Sequence, residues 1–310
     1  MNMGSPDLPT VALIAGPTAS GKSALALALA EKHRGTVINA DSMQVYADLR
    51  ILTARPTPAE EKRVPHRLFG HVDGADAYSA ARWAIEARAA IAEAQEEGRL
   101  PILVGGTGMY LRTLIEGIAP VPEIDPEVRR EVRGMPVAEA HAALAALDPD
   151  AATRLGPADT SRVARALEVV RSTGRPIGEW QARREGGIGD AIRLVPLILL
   201  PNRDWLGERI DRRFGMMIAH ARAEAEALLA RTDLPADAPV LRAIGVPEMG
   251  ALLRGEIDSH AAVTAGATAT RQYAKRQYTW FRRQPPEAWE RTTEIETNKL
   301  VDLFERKLLQ

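Results

Sequence analysis

Residues 16 to 23 read Gly16-Pro17-Thr18-Ala19-Ser20-Gly21-Lys22-Ser23, which fits G-x-x-x-x-G-K-[ST], a loop that wraps phosphate groups. Both flanks suit such a loop. Val11 to Ala15 is a short apolar run of strand type, and Ala24 to His33 consists of strong helix formers, so the segment reads strand, loop, helix. In that setting successive backbone N–H groups and the positive helix end surround phosphate oxygens, Lys22 adds a point charge, and the Ser23 hydroxyl is a magnesium ligand. A glycine-rich helix entry without a ligand is the bland alternative, and the fit of both flanks argues against it.

Outward from this loop, strand-like and helix-like patterns alternate. Thr36 to Ala40 is a second buried-type strand, Tyr78 to Glu97 an amphipathic helix, and Leu100 to Val104 a third strand closed by Gly105 and Gly106. Such alternation predicts an α/β protein, a P-loop NTPase-like parallel sheet flanked by helices. From Glu116 to about Asp190 strand signals stop, and Pro, Asp and Arg punctuate Ala-rich helical pieces such as Val137 to Leu147 and Ser161 to Ser172. This stretch reads as an all-helical insertion, which assigns residues 10–117 and 191–310 to the core and 118–190 to the insertion. Leu194 to Leu200 resumes the strands, and long helices are expected from Trp205 to Arg231 and from Ala261 to Arg283.

Composition narrows the chemistry. With no Cys among 310 residues, disulfides, thiolate nucleophiles and cysteine zinc sites are excluded. Any metal is therefore held by oxygen or imidazole, but the six His, at 33, 66, 71, 141, 220 and 260, lack metal-ligand spacing and are assigned no catalytic role. Met1 to Pro9 has neither a basic residue nor a long apolar stretch, and no segment has the apolar length of a membrane span, so a cytoplasmic protein is expected. The formal net charge of -1 does not announce a polyanion partner, which makes the location of charge more informative than its sum. Met216-Met217 is expected to pack in the core.

A phosphate-wrapping loop by itself suggests a kinase or NTPase. Asp41, at the end of the second strand, is the acidic residue placed for such chemistry, although Asp41-Ser42 also suits the start of a helix as an N-cap. Ligands of open α/β sheets lie beyond the carboxyl ends of the strands, so Asp41-Ser42-Met43-Gln44-Val45-Tyr46 and Gly105-Gly106-Thr107-Gly108-Met109-Tyr110 should converge on the phosphate loop. Arg209 and Arg213, four apart, share one helix face. The segment Arg271 to Arg283 interleaves basic residues with Tyr273, Tyr278, Trp280 and Phe281, a pattern that suits aromatics turned inward and basic tips turned to a phosphate backbone.

Six strings together resemble the tRNA dimethylallyltransferase (tRNA isopentenyltransferase) family: GPTASGKS at 16 to 23, DSMQVY at 41 to 46, GGTGMY at 105 to 110, RVARALEV at 162 to 169, RIDRRF at 209 to 214 and TRQYAKRQYTWFRR at 270 to 283. The resemblance runs from about Val11 to Arg283. It implies dimethylallyl diphosphate and tRNA as substrates, Mg2+ as cofactor, and an insertion that grips the anticodon stem-loop; a monomer without membrane attachment is expected. By this resemblance Gly16 to Ser23 and Arg213 bind the diphosphate. Asp41, Ser42, Met43, Gln44, Thr107, Arg129, Ser161, Arg162, Val163, Ala164 and Arg165 contact tRNA, and Asp41, Thr107 and Lys22 are catalytic. This chain has Ser161 where the family often has Gln, and Gly245-Val246-Pro247 where relatives commonly have Gly-Tyr.

Chemistry supports the same assignments. Adenine N6 is a poor nucleophile because its lone pair is delocalised, so a carboxylate accepting its proton helps, and Asp41 is the candidate. Charge grows on the departing diphosphate, where loop amides, Lys22, magnesium and an arginine stabilise it. Three other readings compete. A small-molecule kinase leaves the insertion unused, a prenyltransferase of free adenine nucleotides has little need of a stem-loop clamp, and a non-catalytic nucleotide switch does not account for the strings at 105 to 110 and 209 to 214.

Overall fold

The computed structural model describes residues 8–309; of the Met1 to Pro9 stretch read above, Leu8 and Pro9 alone fall among them. Six strands form one sheet in the order β3-β2-β4-β1-β5-β6, where β1 is Thr10–Ala15, β2 Gly35–Asn39, β3 His66–Arg67, β4 Leu100–Gly105, β5 Arg193–Leu199 and β6 Glu290–Thr292. Every pairing is parallel, so helices must cover both faces, and the inner strands β1, β4 and β5 are mostly apolar while the edge strands β3 and β6 are polar. Val11 to Ala15 are fully buried, as are Ile102, Leu103 and Leu197 to Leu199.

Two prolines sit inside strands without breaking the sheet. Pro101 pairs with Thr36 of β2, and the ladder to β1 begins one residue later at Ile102. Pro196 pairs with Leu13 of β1, and the ladder to β6 begins at Leu197. Each missing N–H thus falls where the strand's second neighbour has not begun, the position a sheet tolerates.

Four strands are legible in the sequence; β3 and β6, two and three residues long, are too short to carry a period. The helix Thr297–Leu308 was also not anticipated. The single helix expected from Trp205 to Arg231 is two, Arg203–His220 and Arg222–Leu229, hinged at Ala221, which is fully buried with φ -87° and ψ 3°. No proline or glycine marks this break. Of the expected core pair, Met217 is buried and Met216 is 57% exposed; neighbours in a helix point about a quarter-turn apart, so one face cannot bury both. The helix Ser259–Arg283 buries Thr270, Ala274, Gln277 and Phe281 at helical spacing; Tyr273, Tyr278 and Trp280 are half-buried, while Lys275, Arg276, Arg282 and Arg283 stay exposed.

The chain divides into two compact units, one comprising the chain up to Leu114 and from Gly189 onward, the other Ile115–Ile188. The second contains the helices Pro126–Gly134, Val137–Leu147, Pro149–Arg154, Thr160–Thr173 and Ile177–Gln181 around Val132, Ala140, Leu144, Ala152, Val163, Ala166, Leu167 and Val170. Its Asp and Pro punctuation is cap chemistry: Asp125, Asp148 and Asp159 accept backbone N–H bonds, and Pro126 and Pro149 open helices. Among the described residues, no helix is long and apolar enough to cross a membrane.

Candidate active site

The carboxyl ends of β1, β2 and β4 deliver the phosphate loop, Asp41 and Gly105 to one edge of the sheet. Gly16 leaves β1 at φ 145°, and a Cβ there would lie 2.4 Å from the Leu199 carbonyl oxygen, so a side chain cannot be accommodated. The helix that follows, Lys22–Lys32, starts from Gly21 with no side-chain cap. By contrast Ser79, Asp125, Asp159, Asn202 and Asp258 cap their helices with side-chain oxygens. Val137–Leu147 and Ile177–Gln181 also start without a side-chain cap, but here the uncapped amides border the polar cavity and leave donors for an anion.

Two cations stand over the loop. Lys22 donates through Nζ to the Pro17 carbonyl at 2.6 Å. Burial lowers its pKa from 10.5 to about 7, opposed by the Asp41 charge and reinforced by Arg213. Arg213 donates to Thr18 Oγ1 at 2.6 Å, and burial first, then Arg209, pull it down to about 10 while Asp41 acts the other way. Both cations would gain from an incoming anion. Arg209 lines the same cavity and stacks on Trp205 with its guanidinium 5.2 Å from the ring centroid.

That cavity is polar, formed by Thr18 to Ser23, Asp41, Gln44, Arg209 and Arg213 among others. A second, mainly apolar pocket adjoins it, walled by Met43, Leu52, Ile210, Phe214, Met217 and Ile244. Thr18, Asp41, Thr53 and Arg213 belong to both. Anion cradle, apolar chamber and carboxylate therefore meet at Asp41. The sequence left open that Asp41 caps a helix; instead its Oδ1 accepts the Met43 N–H at 3.0 Å within a run of turns, and the next helix starts at Pro58. Asn39 fixes this turn by accepting Asp41 N at 2.8 Å and donating to Asp41 O at 3.0 Å.

Other expected residues take distinct places. Thr107 lines neither cavity; its hydroxyl accepts the Ser42 N–H at 3.0 Å and donates to Ser42 Oγ at 3.3 Å, which ties the Asp41 turn to the end of β4. Gln44 donates to the Thr53 and Ala54 carbonyls, both at 2.9 Å, and so holds the far cavity wall. Arg129, Ser161, Arg162 and Arg165 are exposed on the helical insertion, Ala164 is half-buried, and Val163 is fully buried in that unit's core, leaving its side chain unable to touch a partner. Ser20 is also buried, with no hydrogen-bond partner for Oγ.

Sequence reasoning missed two residues that set this geometry. Gln277 accepts the Thr18 N–H at 2.8 Å and donates to the Gly106 carbonyl at 2.9 Å, bridging the ends of β1 and β4. A Cβ on Gly106 would fall 2.2 Å from Gln277 Nε2, so the glycine is what admits the bridge. Its signal was present: a glutamine on an otherwise buried helical stripe needs partners. The second is Glu224, whose carboxylate accepts the N–H groups of Arg50, Ile51 and Leu52 at 2.9, 2.9 and 2.7 Å. It pins the loop that supplies Leu52 and Thr53 to the cavity walls.

For a magnesium ion, no group of three or more His, Cys, Asp or Glu among the described residues forms a cage. The Ser23 hydroxyl and the Asp41 carboxylate in the polar cavity are oxygen donors of the kind magnesium takes when substrate phosphates and water complete its shell, so the residues fit the ion.

Fold and site together define a P-loop α/β protein in which an anion cradle opens onto an apolar chamber. The IPP transferase family model matches residues 44–284, and an isopentenyl transferase model matches residues 9–73. A tRNA dimethylallyltransferase of Sphingopyxis alaskensis is 63% identical over 300 residues, covering 96% of this chain and 98% of the relative. Among solved structures, the full-length tRNA isopentenylpyrophosphate transferase of Bacillus halodurans is 33% identical with a TM-score of 0.66, covering 97% of this chain and 98% of that one. A eukaryotic dimethylallyltransferase acting on tRNA is 31% identical with a TM-score of 0.77, covering 88% of this chain and 70% of that one. The chain belongs to the IPP transferase family.

Proposed function

We propose that this protein transfers the dimethylallyl group of dimethylallyl diphosphate to N6 of the adenosine 3′-adjacent to the anticodon, position 37 of tRNA, and releases diphosphate. The observation that carries the reading is the meeting of anion cradle and apolar chamber at one carboxylate. A diphosphate ester of a small branched hydrocarbon needs both compartments. The phosphates of a donor such as ATP account for the first, and the wall of Met43, Leu52, Ile210, Phe214 and Met217 at the second suits a hydrocarbon.

In this reading the allylic C–O bond breaks, the N6–C bond forms, and the N6 proton passes to Asp41. Lys22, Arg213 and the uncapped amides at the start of the helix Lys22–Lys32 hold the diphosphate and gain strength as its charge grows. Thr107 holds the Asp41 turn and so acts on catalysis by position. Ser23 would hold Mg2+, whose charge would offset that of the diphosphate. The target base leaves its stack to reach Asp41 to Gln44, while Arg129, Ser161, Arg162, Ala164 and Arg165 meet the RNA on the insertion. The reading takes the protein to act as a monomer in the cytoplasm.

Prenyl-labelled dimethylallyl diphosphate offered with unmodified tRNA, AMP or ATP as acceptor tests the proposal. Label in tRNA, located to one adenosine by nuclease digestion, is the expected result. Transfer to AMP or ATP in preference to tRNA would overturn it.

A further inference from the structure

In the helical insertion one carboxylate is buried under a cluster of arginines. Glu168 on Thr160–Thr173 is 1% exposed, and its Oε1 accepts from Arg133 Nε at 2.9 Å. Its Oε2 has no hydrogen-bond partner among the described residues, and lies 3.8 Å from Arg165 Nη1. Arg133 comes from a different helix, Pro126–Gly134. Neighbouring arginines have separate acidic partners: Arg130 with Glu127, Arg162 with Asp159, Arg171 with Glu131.

A carboxylate out of water is costly unless cations compensate it, so Glu168 draws the Arg133 and Arg165 side chains together across two helices. The reverse does not hold, since one carboxylate leaves its arginines with surplus positive charge. Burial, then Arg129 and Arg133, lower the Arg165 pKa against the pull of Glu168. Arg133 meets Glu168 through Nε while 60% of its side chain stays exposed, which keeps Nη donors available. Arg133, Arg165, Ser161 and Glu168 line one open pocket. Paired guanidiniums beside a hydroxyl, with excess charge and spare donors, suit a phosphodiester.

We propose that Glu168 is a positioning residue that splints Arg133 and Arg165 into a clamp for an RNA phosphate, and that Arg133 is a nucleic-acid contact beside the Ser161 to Arg165 segment. The proposal deepens the tRNA reading and rests on it.

The test uses the full chain with an unmodified tRNA transcript, comparing wild type, Arg133→Gln, Glu168→Gln and the double variant. Arg133→Gln is expected to raise the tRNA KM about five- to tenfold and to reduce the log-log salt slope of binding by about one. Glu168→Gln keeps the shape of the side chain and removes its charge. It should raise the tRNA KM severalfold, with kcat at saturating tRNA and the Kd for dimethylallyl diphosphate unchanged. Because Glu168 acts through the arginines, the double variant should fall short of the product of the single effects. Glu168→Gln that lowers Tm but leaves tRNA affinity and salt slope intact makes Glu168 a packing residue and overturns the splint, as do multiplicative single effects. An Arg133→Gln variant with wild-type affinity removes the clamp. If the wild-type chain itself fails to bind tRNA, the prenylation reading falls, and the proposal with it.

Discussion

The phosphate loop and the helical insertion both cluster cations, at different degrees of burial. Over the loop, Lys22 and Arg213 are withdrawn from water far enough that burial moves both pKa values down, and they are held by the Pro17 carbonyl and the Thr18 hydroxyl. On the insertion, Arg133 and Arg165 keep 60% and 44% of their side chains exposed and are placed by one carboxylate. Desolvated charges around a fixed cradle interact strongly and resist screening, whereas exposed ones contribute modestly and weaken with salt. The first arrangement suits a leaving group whose charge grows during reaction; the second suits a long, uniformly charged partner.

Substitutions in the crevice should therefore show large, salt-insensitive losses, beginning with Asp41. Asp41→Asn keeps a carbonyl that can orient the amine and loses the base, so single-turnover prenylation at saturating substrates should fall about 10²- to 10⁴-fold. Affinities should barely change. Recovery of rate with rising magnesium would reassign Asp41 to holding metal, and an unchanged rate would remove it from catalysis.

Lys22→Ala should follow, with kcat/KM for dimethylallyl diphosphate lower by about 10²- to 10³-fold as one preorganised charge is lost, and with dimethylallyl diphosphate binding abolished in calorimetry while the Tm holds. If ordinary salt concentrations weaken wild-type diphosphate binding as steeply as tRNA binding, the contrast between the two regions breaks down.

Gln277→Leu removes the bridge between Thr18 and Gly106 without removing any charge. Leaving a buried amide and carbonyl unpaired should raise the KM for dimethylallyl diphosphate about tenfold, with tRNA affinity unaltered. An equal loss of both would mean that the substitution disturbs the fold at large.

The smallest effect is a proton count. With its pKa at about 7, Lys22 is largely neutral above that pH in the free protein. A bound diphosphate favours the ammonium and raises the pKa, so binding should take up about one proton per site above pH 8 and almost none below pH 6. Calorimetry in buffers of different ionisation enthalpy reads this directly. Proton release, or uptake that does not depend on pH, would contradict the placement of Lys22.

What the sequence made legible is local. Gly16 to Ser23, Asp41 and Gly105 to Gly108 stand at strand ends, so position in the chain gave position in space. Arg213 was legible through helical spacing and the family pattern together. Gln277 was not, because its partners lie 259 and 171 residues away and depend on how one helix docks. Glu224 was hidden similarly, since a carboxylate on an amphipathic helix looks solvated until a loop brings three amides to it. Thr107 was expected in the crevice and instead holds Ser42, a distinction of a few ångströms that residue type does not encode. On the insertion, exposure of Arg162 and burial of Val163 follow from helix phase.

The central claim is that the phosphate loop serves a departing diphosphate and not a transferred phosphoryl group. Dimethylallyl diphosphate labelled separately in the hydrocarbon and in the diphosphate, turned over once on an unmodified anticodon stem-loop, tests it most directly. The account predicts hydrocarbon label on one adenosine and an equal amount of intact inorganic diphosphate. Diphosphate label on the RNA, or its appearance as orthophosphate in step with turnover, would contradict it.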